Sequence, residues 1–217
     1  MQISKLNYLN NLNKNQKEAI IDLDGPCLIV AGAGSGKTRV LTTRVAHIIN
    51  QKKAWPNQIL CVTFTNKAAK EMQIRISKFL DKKVSSLPWL GTFHSVSAKL
   101  LRKHAAAVGL NSRFTIIDQD DQIRLIKNIA KAENIDVKKL SPNIILAIIN
   151  QWKNKGWLPK DVVSKKNIPL EKAILKVYKF YQERLKILNS CDFGDLILHC
   201  VTMFENNPDI LELYVNN

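Results

Sequence analysis

Residues 28–41 read LIVAGAGSGKTRVL, an apolar run, a glycine-rich turn and the start of an amphipathic stretch. Consecutive apolar residues suit a strand buried on both faces, while Val40, Leu41, Val45, Ile48 and Ile49 recur at helical intervals. The turn follows the phosphate-loop spacing GxxxxGK followed by Ser or Thr, with Ala31 in place of the first glycine. Gly34 and Gly36 let the backbone curl so that successive N–H groups face a phosphate, and the following helix adds the positive end of its dipole. Lys37 has the reach for β and γ phosphates and the Thr38 hydroxyl suits magnesium, which makes this pair the candidate catalytic element and Thr38 the candidate metal ligand. Ala31, Gly32, Ala33, Gly34, Ser35, Gly36, Lys37 and Thr38 together form a candidate ATP site. The alternative is an ordinary glycine-rich turn between a strand and a helix.

Outward from the turn, short apolar runs alternate with helical patterns. Strands are expected over CLIVA (27–31), ILCVTF (59–64), WLGTF (89–93) and FTII (114–117), with helices over NKAAKEMQIRISKFL and SVSAKLLRKHAAAV. That βαβαβαβ order predicts a mainly parallel sheet with helices on both faces. After Asp118 the pattern is helical throughout, in DQDDQIRLIKNIAKAEN, PNIILAIINQW and LEKAILKVYKFYQERLKIL. The last of these puts Leu170, Ala173, Ile174, Val177, Tyr181, Leu185 and Leu188 on one face. An all-helical subdomain of about 70 residues is the simplest account. Gly156, Pro159 and Pro169 mark KGWLPKDVVSKKNIP as its loop, and the acidic end, CDFGDLILHCVTMFENNPDILELY, reads as helix returning to the first domain.

With 217 residues and 46% hydrophobic content, the chain has material for a real core, which excludes global disorder. Its net charge of +15 is uneven: 18 basic against 5 acidic residues over 1–117, 15 against 8 over 118–189, and none against 5 over 190–217. A basic surface of this kind points to a polyanion, nucleic acid above all, against the alternative of a solvated lysine-rich face. Cys27, Cys61, Cys191 and Cys200 form no CxxC pair and have no histidine at ligand spacing, so they read as buried apolar residues in a reducing compartment. No continuous apolar block resembles a signal peptide or a membrane span, so a soluble, cytoplasmic chain without membrane contact is expected.

Hydrolysis of a nucleotide needs an acidic residue at a strand end to hold magnesium, usually with a carboxylate that orients water. Asp118, after FTII, is the one candidate that follows an apolar run, and Gln119 stands beside it. An N-cap for the helix beginning at QDDQ is the favoured reading of Asp118.

Four motifs in order, LNKNQKEAI (12–20), AGAGSGKTRVL (31–41), VTFTNKAAKEM (62–72) and GTFHS (91–95), together resemble the amino-terminal part of the UvrD/Rep/PcrA group of superfamily 1 DNA helicases. FTIIDQDDQIRLIK and CDFGDLI resemble the entry to and exit from that family's helical insertion, although Gly194 stands where the family pattern DFDDL has an acidic residue. The resemblance implies an α/β fold. A RecA-like P-loop subdomain 1A with a parallel sheet would occupy residues 1–117 and 190–217, interrupted by an all-helical subdomain 1B over 118–189, with the chain stopping short of the Asp-Glu magnesium motif. By position, Gln16 would hydrogen-bond the adenine edge and Arg39 would lie near the nucleotide. Phe64, Thr65, Asn66, Lys67, Thr92, Phe93 and His94 would face DNA, with no proton-transfer role assigned to His94.

From the residues alone, a strand delivering Phe64, Thr65, Asn66 and Lys67 to the carboxyl edge of the sheet offers a stacking face with polar groups beside it. Phe64 also reads as a core residue capping the sheet, and Asn66 as a helix N-cap. The resemblance favours single-stranded DNA contact. Trp152 and Trp157 of the helical insertion are candidates for duplex-DNA contact, but Trp152 continues the Ile145, Ile148 and Ile149 face and is expected in the core.

The implied activity is that of an ATP-dependent 3′ to 5′ DNA helicase using ATP and Mg2+, acting as a monomer on single-stranded and 3′-tailed duplex DNA, with repair or replication proteins as partners. The 217 residues alone are expected to bind weakly without turnover. Two other readings stand beside it: a non-catalytic module that binds ATP and single-stranded DNA, and a compact P-loop NTPase or kinase using Asp118 as its magnesium ligand.

Overall fold

The computed structural model describes residues 7–80, 87–135, 140–162 and 169–215, and the chain divides into two compact units, Met1–Val96 and Ser97–Asn217. Residues 163–168 of the loop expected over 155–169 lie outside the described segments.

In the first unit, helix α1 (Lys14–Ile21) packs on α2 (Lys37–Asn50), and α2 packs on α3 (Asn66–Ser77). Strand β1 (Cys61–Thr63) leads into α3, which returns the chain to β2 (Leu90–Thr92), parallel to β1 with Cys61 opposite Leu90 and Thr63 opposite Thr92. Val45, Cys61, Met72, Ile76 and Leu87 form the core beneath this βαβ arrangement, and Leu12, Ile20 and Val40 form a smaller one between α1 and α2. The Tyr8 hydroxyl meets His47 Nδ1 at 2.9 Å, and burial holds that histidine below its ordinary pKa.

The strand expected over 27–31 is a correction. Its residues form no regular element and pair with no strand among the described residues, and Leu28 and Val30 are 89% and 88% exposed. An apolar run becomes a buried parallel strand only when neighbours supply hydrogen bonds on both edges and helices cover both faces. Cys27 is exposed for the same reason, contrary to expectation, while Cys61, Cys191 and Cys200 are buried. The other three expected strands are present but trimmed to two or three residues, and they fall into two separate two-stranded sheets instead of one larger sheet.

In the second unit, β3 (Thr115–Ile116) pairs in parallel with β4 (Ser190–Cys191). No strand was expected at 190–191, because two residues carry no period and become a strand only through their partner. Between them run α5 (Gln119–Ala132), α6 (Pro142–Asn154) and α7 (Pro169–Ile187), which enclose Ile126, Ile145, Ile149, Trp152, Val177 and Tyr181. Asp118 caps α5, accepting the Asp121 N–H at 2.9 Å. On α7 the buried face is Ile174, Val177, Tyr178, Tyr181 and Leu185, whereas Leu170 and Leu188, expected on it, are exposed. Helices α8 (Phe193–Asn206) and α9 (Pro208–Val215) follow, with Leu196, Cys200 and Met203 of α8 packed on Leu101, Leu110 and Phe114.

A buried ion cluster joins α6, α7 and α8. Lys153 Nζ lies 2.7 Å from both Asp192 Oδ2 and Asp195 Oδ1, the Tyr181 hydroxyl donates to Asp192 at 2.8 Å, and Gln182 donates to Asp195 at 2.9 Å. Asp192 and Asp195 also form a reciprocal capping box at the start of α8. Burial and the neighbouring Asp195 push the Asp192 carboxyl up. For Asp195 burial is the largest influence and acts upward too, but Lys153, His199 and the Gln182 hydrogen bond together hold the carboxyl down. Gly194 leaves room for the lysine stem, since a β-carbon there would come within 3.0 Å of Lys153 Cδ.

Candidate nucleotide site and nucleic-acid edge

The glycine turn is built by two left-handed residues, Gly34 at φ +75° and Gly36 at φ +88°, the second serving as N-cap of α2. L-residues with side chains rarely adopt these angles, which is why glycine stands at both positions. Gly36 has no side chain to close the helix, and the first turn of α2 contains no acidic residue. The leading N–H groups of α2 are therefore available at the positive end of the helix dipole. Ser35 tightens the loop, its hydroxyl donating to Gly32 O at 2.7 Å. Lys37 Nζ donates to Ala31 O and Gly32 O, each at 2.6 Å, so the ammonium lies across the mouth of the loop. Thr38 and Ala33 are exposed in the same segment.

Gln16 reaches this loop from α1. Asn13 and Gln16 form a capping box, with Gln16 N–H donating to Asn13 Oδ1 at 2.8 Å and Asn13 N–H donating to Gln16 Oε1 at 3.1 Å. The Gln16 amide nitrogen then donates to Ser35 O at 3.0 Å. Asn13, Gln16, Val30, Ser35 and Lys37 line a cleft of about 210 Å³. Arg39 is directed away from the loop's carbonyls to Asn10 O at 3.5 Å.

The second candidate surface belongs to the same unit. Parallel register sets the carboxyl ends of β1 and β2 side by side, so Phe64 and Phe93, the next residues, form an aromatic pair with centroids 5.4 Å apart and planes at 46°. Phe64 is 87% exposed and Phe93 39% exposed, so the reading of Phe64 as a core residue is overturned. Thr65, not Asn66, is the N-cap of α3 and accepts the Ala68 N–H at 3.2 Å, which leaves Asn66 and Lys67 exposed on the first turn. Thr92 is buried and engaged with Ser95: each side-chain oxygen accepts the other's backbone N–H, at 2.9 and 3.2 Å. His94 is half-buried on the first turn of α4 (Phe93–Lys103). Gly91 is required by this cap, because a β-carbon there would sit 2.4 Å from Ser95 Oγ.

Sequence reasoning passed over Asn13 and Ser95, although both lie three residues from their partners in a spacing that signals a helix start. It also passed over Arg44, for which the sequence carries no local signal.

A family profile described as the UvrD/REP helicase N-terminal domain matches residues 12–217. The chain belongs to that family. Among relatives, "DNA helicase II" of Rickettsia typhi is 46% identical over 96% of this chain and 32% of its own length. A Rickettsia felis protein named "Probable DNA helicase II homolog" is 45% identical over 98% of this chain and 32% of its own. "ATP-dependent DNA helicase PcrA" of Staphylococcus epidermidis is 42% identical over 96% and 28%. This UvrD/REP-type chain thus spans under a third of the length of these relatives. Among its described residues, no helix is long and apolar enough to cross a membrane, and no cluster of three or more His, Cys, Asp or Glu side chains could hold a metal.

Proposed function

We propose that this chain is the ATP-binding and single-strand-binding portion of a 3′ to 5′ DNA helicase. In this reading a RecA-like subdomain 1A (1–117 and 190–217) carries the sites, and residues 118–189 form the helical subdomain 1B. The observation that carries it is the convergence of Lys37, the open N–H groups of α2 and Gln16 on one cleft, within the unit that also presents Phe64 and Phe93.

The nucleotide's phosphates take the glycine loop, and Lys37 turns from the carbonyls of Ala31 and Gly32 to the β and γ oxygens. Gln16 is suited to adenine by arithmetic of its amide: one N–H already serves Ser35 and one lone pair of Oε1 serves Asn13. One donor and one acceptor remain, the complement that an adenine edge needs. Arg39 supports this site indirectly, by holding the segment that leads into α1.

The exposed Thr38 hydroxyl suits magnesium, whose shell phosphates and waters would fill further. Bound there, the ion would neutralise phosphate charge. Asp118 is read as the cap of α5, its Oδ1 accepting the Asp121 N–H, and not as a second ligand.

The Phe64–Phe93 pair offers faces on which bases stack, with Thr65, Asn66, Lys67 and His94 at its margin for the strand's backbone. Thr92 acts by fixing the start of α4 rather than by touching DNA.

The deciding experiment measures ATP binding, single-strand binding and ATP turnover by the 217-residue chain beside Lys37→Ala. Expected are weak binding of both ligands, loss of ATP binding in the variant and negligible turnover. DNA-stimulated turnover, or unwinding of a 3′-tailed duplex, by these residues alone would overturn the assignment of a portion inactive by itself.

A further inference from the structure

We propose that Arg44 is a positioning residue for base recognition: it grips the carboxyl end of α1 and thereby sets where Gln16 stands over the phosphate loop. The proposal rests on the reading of Gln16 as the adenine partner.

Helix α1 has eight residues, too few to hold its place without tertiary ties. Its amino end is closed by the Asn13–Gln16 box, and Ile20 is fully buried against Leu12 and Val40. Its last turn has no basic residue of its own. The cation is supplied instead from α2, where Arg44 Nη1 donates to Ala19 O at 2.5 Å and also to Asp22 O. A guanidinium on the closing carbonyls satisfies acceptors that the helix cannot and meets the negative end of its dipole.

Ile20 thus lies between two polar ties, Gln16 to Ser35 on one side and Arg44 to Ala19 and Asp22 on the other. Releasing the Arg44 tie lets α1 turn about Ile20 and moves Gln16 off the loop. Lys37 and Arg44 belong to one helix, seven residues and about 10 Å apart. That helix therefore holds the phosphate end of the cleft directly and its base end through α1, so its rigidity fixes the distance between the two subsites.

The test compares affinities of the 217-residue chain for ATP and for inorganic tripolyphosphate, both with magnesium, in the wild type, Gln16→Ala, Arg44→Ala, Arg44→Lys and the Gln16→Ala/Arg44→Ala double variant. Tripolyphosphate reads the glycine loop alone and serves as the check that it is folded. Arg44→Ala is expected to weaken ATP about five- to tenfold, the scale of one lost oriented hydrogen-bonding group, with tripolyphosphate unchanged. Arg44→Lys should retain part of the preference, and Arg44→Ala should add nothing once Gln16 is alanine.

Equal weakening of both ligands, or of neither, while Gln16→Ala loses ATP selectively, would overturn the positioning role and leave the adenine reading standing. A Gln16→Ala variant that keeps its full preference for ATP would overturn both. Should Arg44→Ala fail to bind tripolyphosphate, Arg44→Lys decides: selective loss of ATP supports the proposal and equal loss overturns it.

Discussion

Single residues in this chain act through backbone geometry as much as through their side-chain chemistry. Gly91 is an example, for it lies at the close approach of Ser95 Oγ to β2 and exists so that Thr92 and Ser95 can cap one another. Gly91→Ala is expected to rotate Ser95 out of that cap and cost about 0.5–2 kcal/mol, the usual range for a lost N-cap, measured by urea denaturation. Ser95→Ala should cost a similar amount, and the two losses should not add, because they remove the same interaction. Phe64 makes the opposite kind of contribution. Its ring is exposed, so Phe64→Ala should leave the melting temperature nearly unchanged while weakening single-strand binding by about 1–3 kcal/mol, checked by fluorescence anisotropy with a labelled oligonucleotide. A variant that melted several degrees lower with DNA affinity intact would assign Phe64 to packing instead.

Elements are joined here by unequal means. The helices α5, α6 and α7 share an apolar core, but α8 is tied to α6 and α7 through charge, by Lys153, Asp192 and Asp195 with Tyr181 and Gln182 around them. Two carboxylates on one ammonium leave no spare cation inside the cluster. Lys153→Met keeps much of the volume and removes the charge, and about 3–5 kcal/mol of stability should go with it, because the two buried aspartates then lose their shared ammonium and keep only neutral hydrogen-bond donors. Lys153→Met combined with Asp192→Asn should recover part of that loss. Equilibrium denaturation of the wild type and both variants checks the order. The cap at Asp118 is a milder joint: Asp118→Ala should cost about 0.5–2 kcal/mol and leave nucleotide binding unaltered, measured by denaturation and by ATP titration.

For the whole molecule, stability should fall as pH drops from neutrality toward 5. His47, His104 and His199 all have pKa values depressed chiefly by burial; Arg44 adds to this at His47 and Lys103 at His104, while Asp209 opposes it at His104 and Asp195 opposes it at His199 more than Lys153 adds. The unfolded chain binds protons at the ordinary histidine value near 6.5, so it gains protons before the folded state does. Stability contributed by the neutral rings is thus present above about pH 6.5 and is lost as pH falls toward their folded values. Asp192, whose pKa is raised by burial, works the other way and favours the folded state at acid pH. Denaturation midpoints at pH 7.5, 6.5 and 5.5 check the sign. The slope should lessen when His199 is replaced by asparagine.

Much of this was legible in the chain itself. The glycine turn, the helix that follows it, the helical stretch after Asp118 and the cap at Asp118 all follow from interactions within about four residues, which spacing encodes directly. The phosphate loop and the edge residues Phe64 and Phe93 were placed by the same local logic and by the order of four motifs.

Other features depended on partners far along the chain. The apolar run at 27–31 could not become a paired strand on its own hydrophobicity, and the two-residue strand at Ser190–Cys191 could not be seen without Thr115–Ile116 beside it. Nothing local announces that Lys153 meets Asp192 and Asp195, or that Arg44 closes α1. The sequence by itself determined where turns, caps and helices lie, because those are settled by neighbours on the chain. Tertiary structure alone decided which apolar runs pair, which charges are buried and how Gln16 reaches the loop, because strand edges, desolvation and long side-chain contacts exist only once distant segments are packed together.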